Sequence, residues 1–388
     1  MRNVALDLGV KKTSYCEVAN GKVVQRATVT QVESLSTLLG TGEPPARVAI
    51  EACREAWFVH DLLMSWGNEV LIVDTTRCRQ VGVGQHQRKT DKLDAEVLAR
   101  AVEHGGIPQA HVLSPARREL RRVLAVRRSL VETRANCVTT VRGLARECGK
   151  KIPSCATDNF VDKARSNNFD RAILSVIGPL LTVIESVENE LMEVETRLSE
   201  LCAKEPLFQL LTTAPGVGLV VAACVVSVLD DARRFRKAHE VESYAGLVPS
   251  EKTTGGKRRL GSISKAGNSY LRALLVQAAW VVLRSKNKSD PLYLWGTALT
   301  ERRGKRIAVV AVARRLLGIL WAMWKDGTVY DPEHLAQQGT RGLRGAVQSL
   351  EQQQVAMEIA AKKRSVSKPA APPKRGAKAS KTRVLTAA

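Results

Sequence analysis

Short apolar runs broken by polar turns fill the first hundred residues, a pattern typical of strands that alternate with helices. Residues 4–8 and 13–19 predict the two strands of a hairpin, and Asn20-Gly21 is a strong turn signal directly after them. Further strand-like runs follow at 47–51 and 69–74. Together these runs predict an α/β domain.

The middle of the chain carries a longer repeat. A basic stretch at 117–146 has an apolar residue at every seventh position, and a second stretch fills heptad positions a and d without a break. The second set is Ile177, Leu180, Ile184, Val187, Leu191, Val194, Leu198 and Leu201. The spacing predicts two long helices, each with one apolar stripe. They form either an antiparallel pair within the chain or an oligomerising coiled coil, and the sequence leaves both open.

A turn rich in glycine, Pro215-Gly216-Val217-Gly218, leads into an apolar helix of small residues, as in a helix-hairpin-helix element. Backbone N–H groups of Gly216 and Gly218 at the start of that helix would suit a phosphate, although an ordinary tight turn has the same pattern. Beyond Lys362 the chain is rich in Lys, Arg, Ala, Pro and Ser and has no acid. That composition predicts a disordered tail that binds phosphates nonspecifically.

Positive charge is the strongest feature of the composition. The 388 residues carry a formal net charge of +22, and the sequence pI is about 10.0. Such a field favours a polyanion, and nucleic acid is the first candidate. A membrane surface is the alternative, but the apolar stretches 219–229 and 307–324 are too short or are broken by Arg314-Arg315. Asp7 interrupts the first apolar run, so we predict no signal peptide, no membrane partner and a cytoplasmic location.

The eight cysteines are scattered, without a Cys-x-x-Cys pair or a histidine at ligand spacing. This argues against a disulfide framework and against a zinc site. We therefore expect reduced thiols that are mostly buried as small apolar groups.

Four carboxylates occupy positions that suit a metal-dependent nuclease. Asp7 lies inside the first predicted strand, Glu51 ends a strand, and Asp91 and Asp94 lie three residues apart on one face of a predicted helix. Carboxylate oxygens are hard ligands for Mg²⁺, and four can hold two ions for an in-line phosphoryl displacement. Each acid alone has an ordinary explanation, such as a solvated charge or a helix-start acid. An acid buried in an apolar strand without a partner is costly, so the four together favour a metal site.

A second candidate site spans residues 245–272, where hydroxyl groups and glycines are interleaved with cations before a helix begins. Lys257, Arg258, Arg259 and Lys265 would stabilise the charge on a phosphate that a hydroxyl group attacks. The same residues would also grip a phosphate without any chemistry. The sequence leaves both interpretations open.

In their order along the chain, these motifs resemble the DEDD transposases of the one-ten family of insertion sequences, recombinases that a noncoding bridge RNA guides. The resemblance extends to about Trp324, and the ordered set of motifs makes it specific. The motifs are Asp7-x-Gly9, Ala49-Ile50-Glu51, Lys89-Thr90-Asp91-x-x-Asp94-Ala95, Pro215-Gly216-Val217-Gly218, Ala245-Gly246-Leu247-Val248-Pro249, Ile263-Ser264-Lys265-x-Gly267-Asn268 and Leu271-Arg272.

The resemblance implies an N-terminal RuvC-like (RNase H-like) α/β domain, a long helical coiled-coil segment and a mainly α C-terminal transposase domain with a helix-hairpin-helix element. We place these at residues 1–110, 111–205 and 206–330, followed by a helical and disordered basic tail at 331–388. The implied partners are DNA, a noncoding guide RNA and further copies of the chain, joined as a homo-oligomer through the coiled coil. The implied place of action is the nucleoid.

The resemblance also implies the site residues. The metal set for two Mg²⁺ ions is Asp7, Glu51, Asp91 and Asp94. We call the candidate site at 245–272 the hydroxyl loop. The family's catalytic serine lies just before the Gly-Gly pair of this loop, and this chain has Thr254 at that position. Thr254 is the predicted nucleophile, Ser264 and the nearby Ser262 are alternatives, and an impaired copy is a third explanation. The residues expected to bind nucleic acid are Gly216, Gly218, Lys257, Arg258, Arg259, Lys265 and Arg272.

Three other functions fit parts of the sequence. A RuvC-like nuclease would use the acids and metal-activated water, without a covalent intermediate. A sugar-kinase or actin-like ATPase also begins with an Asp- and Gly-bearing hairpin, but the C-terminal half lacks a second one and the net charge is strongly positive. A noncatalytic DNA-binding coiled-coil protein explains the charge and the heptads but leaves Asp7 unexplained.

Overall fold

The computed structural model divides into two units, Met1–Ser114 and a second unit that begins at Pro115. It describes residues 1–74, 77–78, 91–167, 169–251 and 259–338, and for residues 91–94 and 336–338 it describes the backbone only. Each unit has its own apolar core.

A mixed five-stranded sheet forms the first unit, in the order β3-β2-β1-β4-β5. Its strands are β1 (Arg2–Leu8), β2 (Thr13–Ala19), β3 (Lys22–Val29), β4 (Ala46–Glu51) and β5 (Glu69–Val73). The first three strands are antiparallel, and β4 and β5 run parallel to β1. Asn20 and Gly21 both have positive φ, 51° and 70°, which is the geometry that the predicted hairpin turn requires.

Helices cover both faces of this sheet. They are α1 (Ser36–Leu39), α2 (Ala56–Ser65) and α3 (Asp91–Glu103), with a 3₁₀ turn at Val32–Leu35. Because alternate residues of a strand point to opposite faces, Leu6 packs on the α2 side and its neighbour Ala5 packs on the α3 side. The first unit is therefore an α/β layer structure, which confirms the predicted fold class at that level.

The second unit is mostly helical. Its helices are α4 (Pro115–Glu147), α5 (Phe160–Arg165), α6 (Arg171–Ala203), α7 (Pro206–Thr212), α8 (Leu219–Leu229), α9 (Ala238–Tyr244), α10 (Ser269–Leu283), α11 (Pro291–Arg303), α12 (Lys305–Asp326) and α13 (Pro332–Gln338). A two-stranded ribbon, β6 (Pro249–Glu251) and β7 (Leu260–Ile263), precedes α10. Nine of the eleven residues of α8 are buried, so this small-residue helix lies inside the core rather than on its surface.

The two long helices pack against each other as an antiparallel pair within the chain. Arg127 pairs with Glu195 at 2.7 Å and Glu119 pairs with Arg197 at 2.7 Å, which sets the start of α4 beside the end of α6. The buried positions depart from the heptad at two places: Leu181 and Cys202 are buried, whereas Leu180 and Leu201 are half-buried. A straight helix with 3.6 residues per turn drifts away from a strict seven-residue repeat.

Two helices, α6 and α12, are long and apolar enough to cross a membrane by length and composition alone. For α12 this differs from the expectation above, because Arg314 and Arg315 are too few charges to exclude it. Within the apolar part of α12, 56% of the residues are buried inside the protein. The core helix of a soluble protein passes the same test, and α12 packs in that way against α9, α10 and α11.

Candidate active site

Asp7 and Glu51 lie next to each other at one edge of the sheet. Asp7 is near the end of β1 and Glu51 is the last residue of β4, the parallel strand beside it. The last residue pair in this ladder is Leu6–Ile50, so Asp7 and Glu51 follow together on strands about 4.8 Å apart. By strand alternation both belong to the face of Ala5 and Ala49, which is the face that α3 covers.

The environment of Cys78 supports this placement of Glu51. Cys78 packs in the apolar cluster under α3, where burial raises the pKa of its thiol. The negative charges of Asp74 and Glu51 raise that pKa further. The Glu51 carboxylate therefore lies within electrostatic reach of the α3 side of the sheet.

Helix α3 is fixed so that it begins near the same edge. At its C-terminal end, Glu103 accepts the backbone N–H of Gly21 at 3.0 Å, and the Arg100 guanidinium donates to the carbonyl of Gly21. Glu96 is paired with both Arg26 and Arg100, and the Arg100 hydrogen bond chiefly lowers the pKa of its carboxyl. Gly21 follows the C-terminal end of β2, whereas Asp7 pairs with Ser14 near the N-terminal end of β2. Because the C-terminal end of α3 lies at Gly21, its first residue, Asp91, lies towards the end of the sheet that carries Asp7.

The predicted metal set is placed only in part. The backbone of Asp91 and Asp94 forms the first turn of α3, and their side chains lie outside the described residues. Among the residues whose side chains are described, no group of three or more His, Cys, Asp or Glu could hold a metal ion. The residue types fit a hard cation, because Asp7 and Glu51 supply two adjacent carboxylates and the helix start carries two more.

Another acid of the sheet, Glu17, has a structural role. Its carboxylate accepts hydrogen bonds from the Arg2 guanidinium at 2.7 and 3.1 Å and from the Tyr15 hydroxyl at 2.6 Å. The Arg2 hydrogen bonds are the largest influence and hold the pKa of Glu17 below its ordinary value. An acid within an apolar strand is thus stabilised here by a cation and a phenol.

The hydroxyl loop belongs to the ribbon of the second unit. Strands β6 and β7 are antiparallel, with Glu251 opposite Leu260, and residues 252–258 connect them in sequence. Thr254, Lys257 and Arg258 lie in that connection, outside the described residues. Arg259, which directly precedes β7, is exposed.

The base of the ribbon is built from two backbone segments in close contact. A Cβ at Gly246 would lie 1.9 Å from the carbonyl oxygen of Ala266, and a Cβ at Gly267 would lie 2.1 Å from that of Tyr244. Both glycines have positive φ, 71° and 82°, so other residues are excluded by backbone strain as well as by space. Ser264 and Lys265 follow β7 here, and their N–H groups donate to the carbonyls of Val248 and Gly246.

Arg272 fixes this base. Its Nη1 atom donates to three backbone carbonyls, those of Ala245 at 3.1 Å, Ala266 at 2.9 Å and Gly267 at 3.1 Å. The sequence assigned Arg272 to nucleic acid, and the structure gives its guanidinium a positioning role for the segment that carries Ser264 and Lys265. Ser264 and Lys265 are both exposed.

The two glycines of the glycine turn, Gly216 and Gly218, have different structural roles. Gly216 has φ +76°, and a Cβ there would lie 2.5 Å from the carbonyl oxygen of Ala278 in α10. Gly218 precedes α8 as its N-cap residue, and a Cβ there would have nothing within 4 Å among the described atoms. Close packing therefore requires glycine at 216 but not at 218.

Two arginines that the sequence analysis did not single out, Arg121 and Arg128, line a cavity beside the start of α10. Their spacing of seven residues on a predicted basic helix is a signal for one shared face. The role of Arg272 had no such signal, since its carbonyl partners depend on how two distant loops meet.

Comparison with protein families identifies both units. A DEDD transposase model of the IS110 type, described as a transposase, matches residues 4–148. A model described as the transposase IS116/IS110/IS902 family matches residues 208–294. The first match includes all four predicted metal ligands, and the second includes the glycine turn and the hydroxyl loop.

Curated relatives agree over most of the chain. A probable family 20 transposase of Pseudomonas aeruginosa is 29% identical over 74% of this chain and 87% of its own length. The transposase for insertion sequence element IS1111A of Coxiella burnetii is 26% identical over 78% of this chain and 84% of its own. The transposase for insertion sequence element IS1328 of Yersinia enterocolitica is 26% identical over 84% and 98%. The chain therefore carries transposase domains of the IS110/IS116 family of insertion sequences and is a DNA transposase.

Proposed function

We propose that this transposase cuts and rejoins DNA at a Mg²⁺ site formed by Asp7, Glu51, Asp91 and Asp94. DEDD transposases depend on a divalent metal ion, and transposition requires DNA binding. The observation that carries the proposal is the adjacency of Asp7 and Glu51 on neighbouring parallel strands, on the face where α3 begins with Asp91. A five-stranded sheet in the order β3-β2-β1-β4-β5 supports the RuvC-like (RNase H-like) assignment.

The four carboxylates are the ligands for two Mg²⁺ ions in this proposal. When bound, such a pair supplies Lewis acidity to the attacking and leaving oxygens of an in-line displacement. The sheet holds Asp7 and Glu51 on rigid backbone, and the contacts of Glu96, Arg100 and Glu103 fix the axis of the helix that carries Asp91 and Asp94. Rigid placement of ligands is what a two-ion site requires.

A hydroxyl group of the second unit is the proposed nucleophile. The Thr254 oxygen attacks a DNA phosphorus, its proton passes to water, and the bond from phosphorus to the deoxyribose oxygen breaks as that oxygen takes up a proton. In rejoining, a deoxyribose hydroxyl attacks the same phosphorus and releases the Thr254 hydroxyl. Ser264, at the base of the ribbon, is the alternative, and Ser262 lies within β7.

The proposed partners are DNA, a noncoding guide RNA and further copies of the chain, at the nucleoid in the cytoplasm. The net charge of +22 supports polyanion binding, with Gly216, Gly218, Lys257, Arg258, Arg259 and Lys265 as contacts. The apolar stripe of α6 is occupied by α4 of the same chain. An oligomer would therefore use the outer face of the pair, where Val176 and Met192 are 61% and 63% exposed.

The metal site is tested by strand cleavage of DNA that carries the ends of the insertion sequence, with the full-length protein and its copurifying RNA. Asp7→Ala and Asp91→Ala are expected to lose cleavage by at least about a hundredfold, because the loss of a residue that only supports a metal ligand already costs about 10- to 100-fold. Glu33→Gln, an exposed acid of the same unit, is the matched control and keeps wild-type activity. Cleavage retained in Asp7→Ala would refute the assignment.

The nucleophile is tested by trapping a covalent protein–DNA adduct. We expect the adduct with wild-type protein and with Thr254→Ser, and its loss with Thr254→Ala but not with Ser264→Ala. Loss in Ser264→Ala alone would move the role to Ser264. Cleavage that releases free ends without any adduct would favour the nuclease that uses metal-activated water.

A further inference from the structure

A cavity of about 350 Å³ opens between α4, α8 and the start of α10. We call it the arginine notch, and its polar walls include Arg121, Arg128, Ser227, Asn268, Ser269 and Tyr270. A water molecule takes up about 30 Å³ in the liquid, so the notch has room for a phosphate group together with ordered water. It lies wholly within the second unit.

The charge of the notch is positive. Arg121 and Arg128 are seven residues apart on α4, with Leu124 and Ala125 between them on the same face. The Arg128 guanidinium lies 5.3 Å from the centre of the Tyr270 ring and pairs with Glu132 at 2.7 Å. Its side chain is still 42% exposed, so further donors of its planar group remain accessible.

Arg121 is close to the floor of the notch. Burial raises the pKa of the Cys224 thiol to about 12, and the positive charge of Arg121 works against that increase. Cys224 and Ser227 line the notch from α8, so Arg121 reaches across from α4 to this wall. The two arginines therefore flank one space rather than two separate surfaces.

The third wall adds hydrogen-bond donors. The Tyr270 hydroxyl is buried and has no hydrogen-bond partner among the described residues. A buried hydroxyl without a partner costs free energy, so an acceptor that reached this oxygen would stabilise the bound state. Helix α10 starts here at the exposed Ser269, so the positive end of its dipole also faces this region.

We propose that the arginine notch binds a backbone phosphodiester of the nucleic acid on which the transposase acts. Two guanidinium groups and a wall that carries hydroxyl groups suit an anion, and neither arginine belongs to the motifs that carry the resemblance in the sequence. Asn268, which also lines the notch, follows Lys265 by three residues in the sequence. This proposal depends on the proposed function in one respect only, which is that the ligand is nucleic acid.

The test is binding of the full-length protein to a labelled DNA duplex and, separately, to a labelled single-stranded RNA over a range of salt concentrations. Arg121→Gln and Arg128→Gln are each expected to weaken binding roughly tenfold. Each should also reduce the slope of log K against log salt concentration by about 1, because one phosphate contact is lost. Arg128→Lys should keep the slope, since it keeps the charge.

Arg197→Gln is the matched control, because Arg197 is a half-exposed arginine of the same helical pair with carboxylate partners of its own. A loss in the DNA arm assigns the phosphate to DNA, and a loss confined to the RNA arm assigns it to RNA. Affinities and slopes equal to those of Arg197→Gln in both arms would overturn the proposal. Asp7→Ala separates the two hypotheses, because it should abolish cleavage and leave binding at the notch unchanged.

Discussion

At the scale of single residues, the same chemical type serves opposite roles in this protein. Glu17 and Asp7 both lie in strands of one sheet, yet Glu17 is held by Arg2 and Tyr15, whereas Asp7 stands beside Glu51. The sequence identified Asp7 because it interrupts an apolar run next to a turn. It did not identify the Arg2–Glu17 pair, since that contact depends on strand register.

The Glu17 pair predicts a pH-dependent stability. Its pKa is lowered in the folded state, so its contribution is present above the ordinary glutamate value of 4.5 and is lost as the pH falls through the folded value. Glu17→Gln should therefore lower the melting temperature at neutral pH, and this deficit should shrink below pH 4.5. Parallel melting curves of wild type, Glu17→Gln and Glu33→Gln measure it. A deficit that is constant from neutral to acid pH would contradict the ion-pair account.

Arg272 predicts a difference between folding and binding. Loss of a charged donor to three carbonyls should cost about 1.5–3 kcal/mol of stability in Arg272→Gln. The salt slope of DNA binding should stay as in the wild type, and strand transfer should fall because the loop at Ser264 is no longer fixed. Arg259→Gln, an exposed neighbour, serves as the control for the loss of charge alone. An unchanged melting temperature with a smaller salt slope would instead show that Arg272 contacts a phosphate.

At the scale of elements, the apolar runs located four strands of the sheet and the two long helices, but not the details of their packing. The apolar runs at 4–8 and 13–19 and the turn at Asn20-Gly21 predicted the hairpins, and the seven-residue repeats predicted α4 and α6. The sequence could not decide that α6 pairs with α4 of its own chain, nor that Leu181 and Cys202 replace Leu180 and Leu201 in the seam. Those outcomes depend on partner geometry, which a single helix does not encode.

The glycine turn gives a prediction at this scale. Gly216→Ala should destabilise the protein by about 2 kcal/mol or more, because the new Cβ meets a carbonyl of α10 and the backbone is left-handed there. Gly218→Ala is the matched control, since Gly218 has extended backbone and open space beside it, and it should change stability by less than about 1 kcal/mol. Urea unfolding of both variants measures the difference. Equal effects would show that close packing at 216 is not the constraint.

At the scale of the whole molecule, two units with different chemistry make one transposase. The first offers carboxylates on a rigid sheet, and the second offers a hydroxyl loop, a glycine turn and the arginine notch within a strongly basic chain. The family could be identified from the order of short motifs along the sequence. The notch could not, because its walls come from three helices that are distant in sequence.

In the proposed mechanism, Asp7, Glu51 and the start of α3 share one metal site. Fe²⁺ placed in the Mg²⁺ site of the full-length protein, with ascorbate and peroxide, generates hydroxyl radicals that cut the backbone beside the metal, and mass spectrometry locates the cuts. We expect cuts near residues 7, 51 and 91–94 together, suppressed by excess Mg²⁺, absent in Asp7→Asn and retained in Glu33→Gln. Cuts elsewhere, or cuts at these places that persist in Asp7→Asn, would contradict the account.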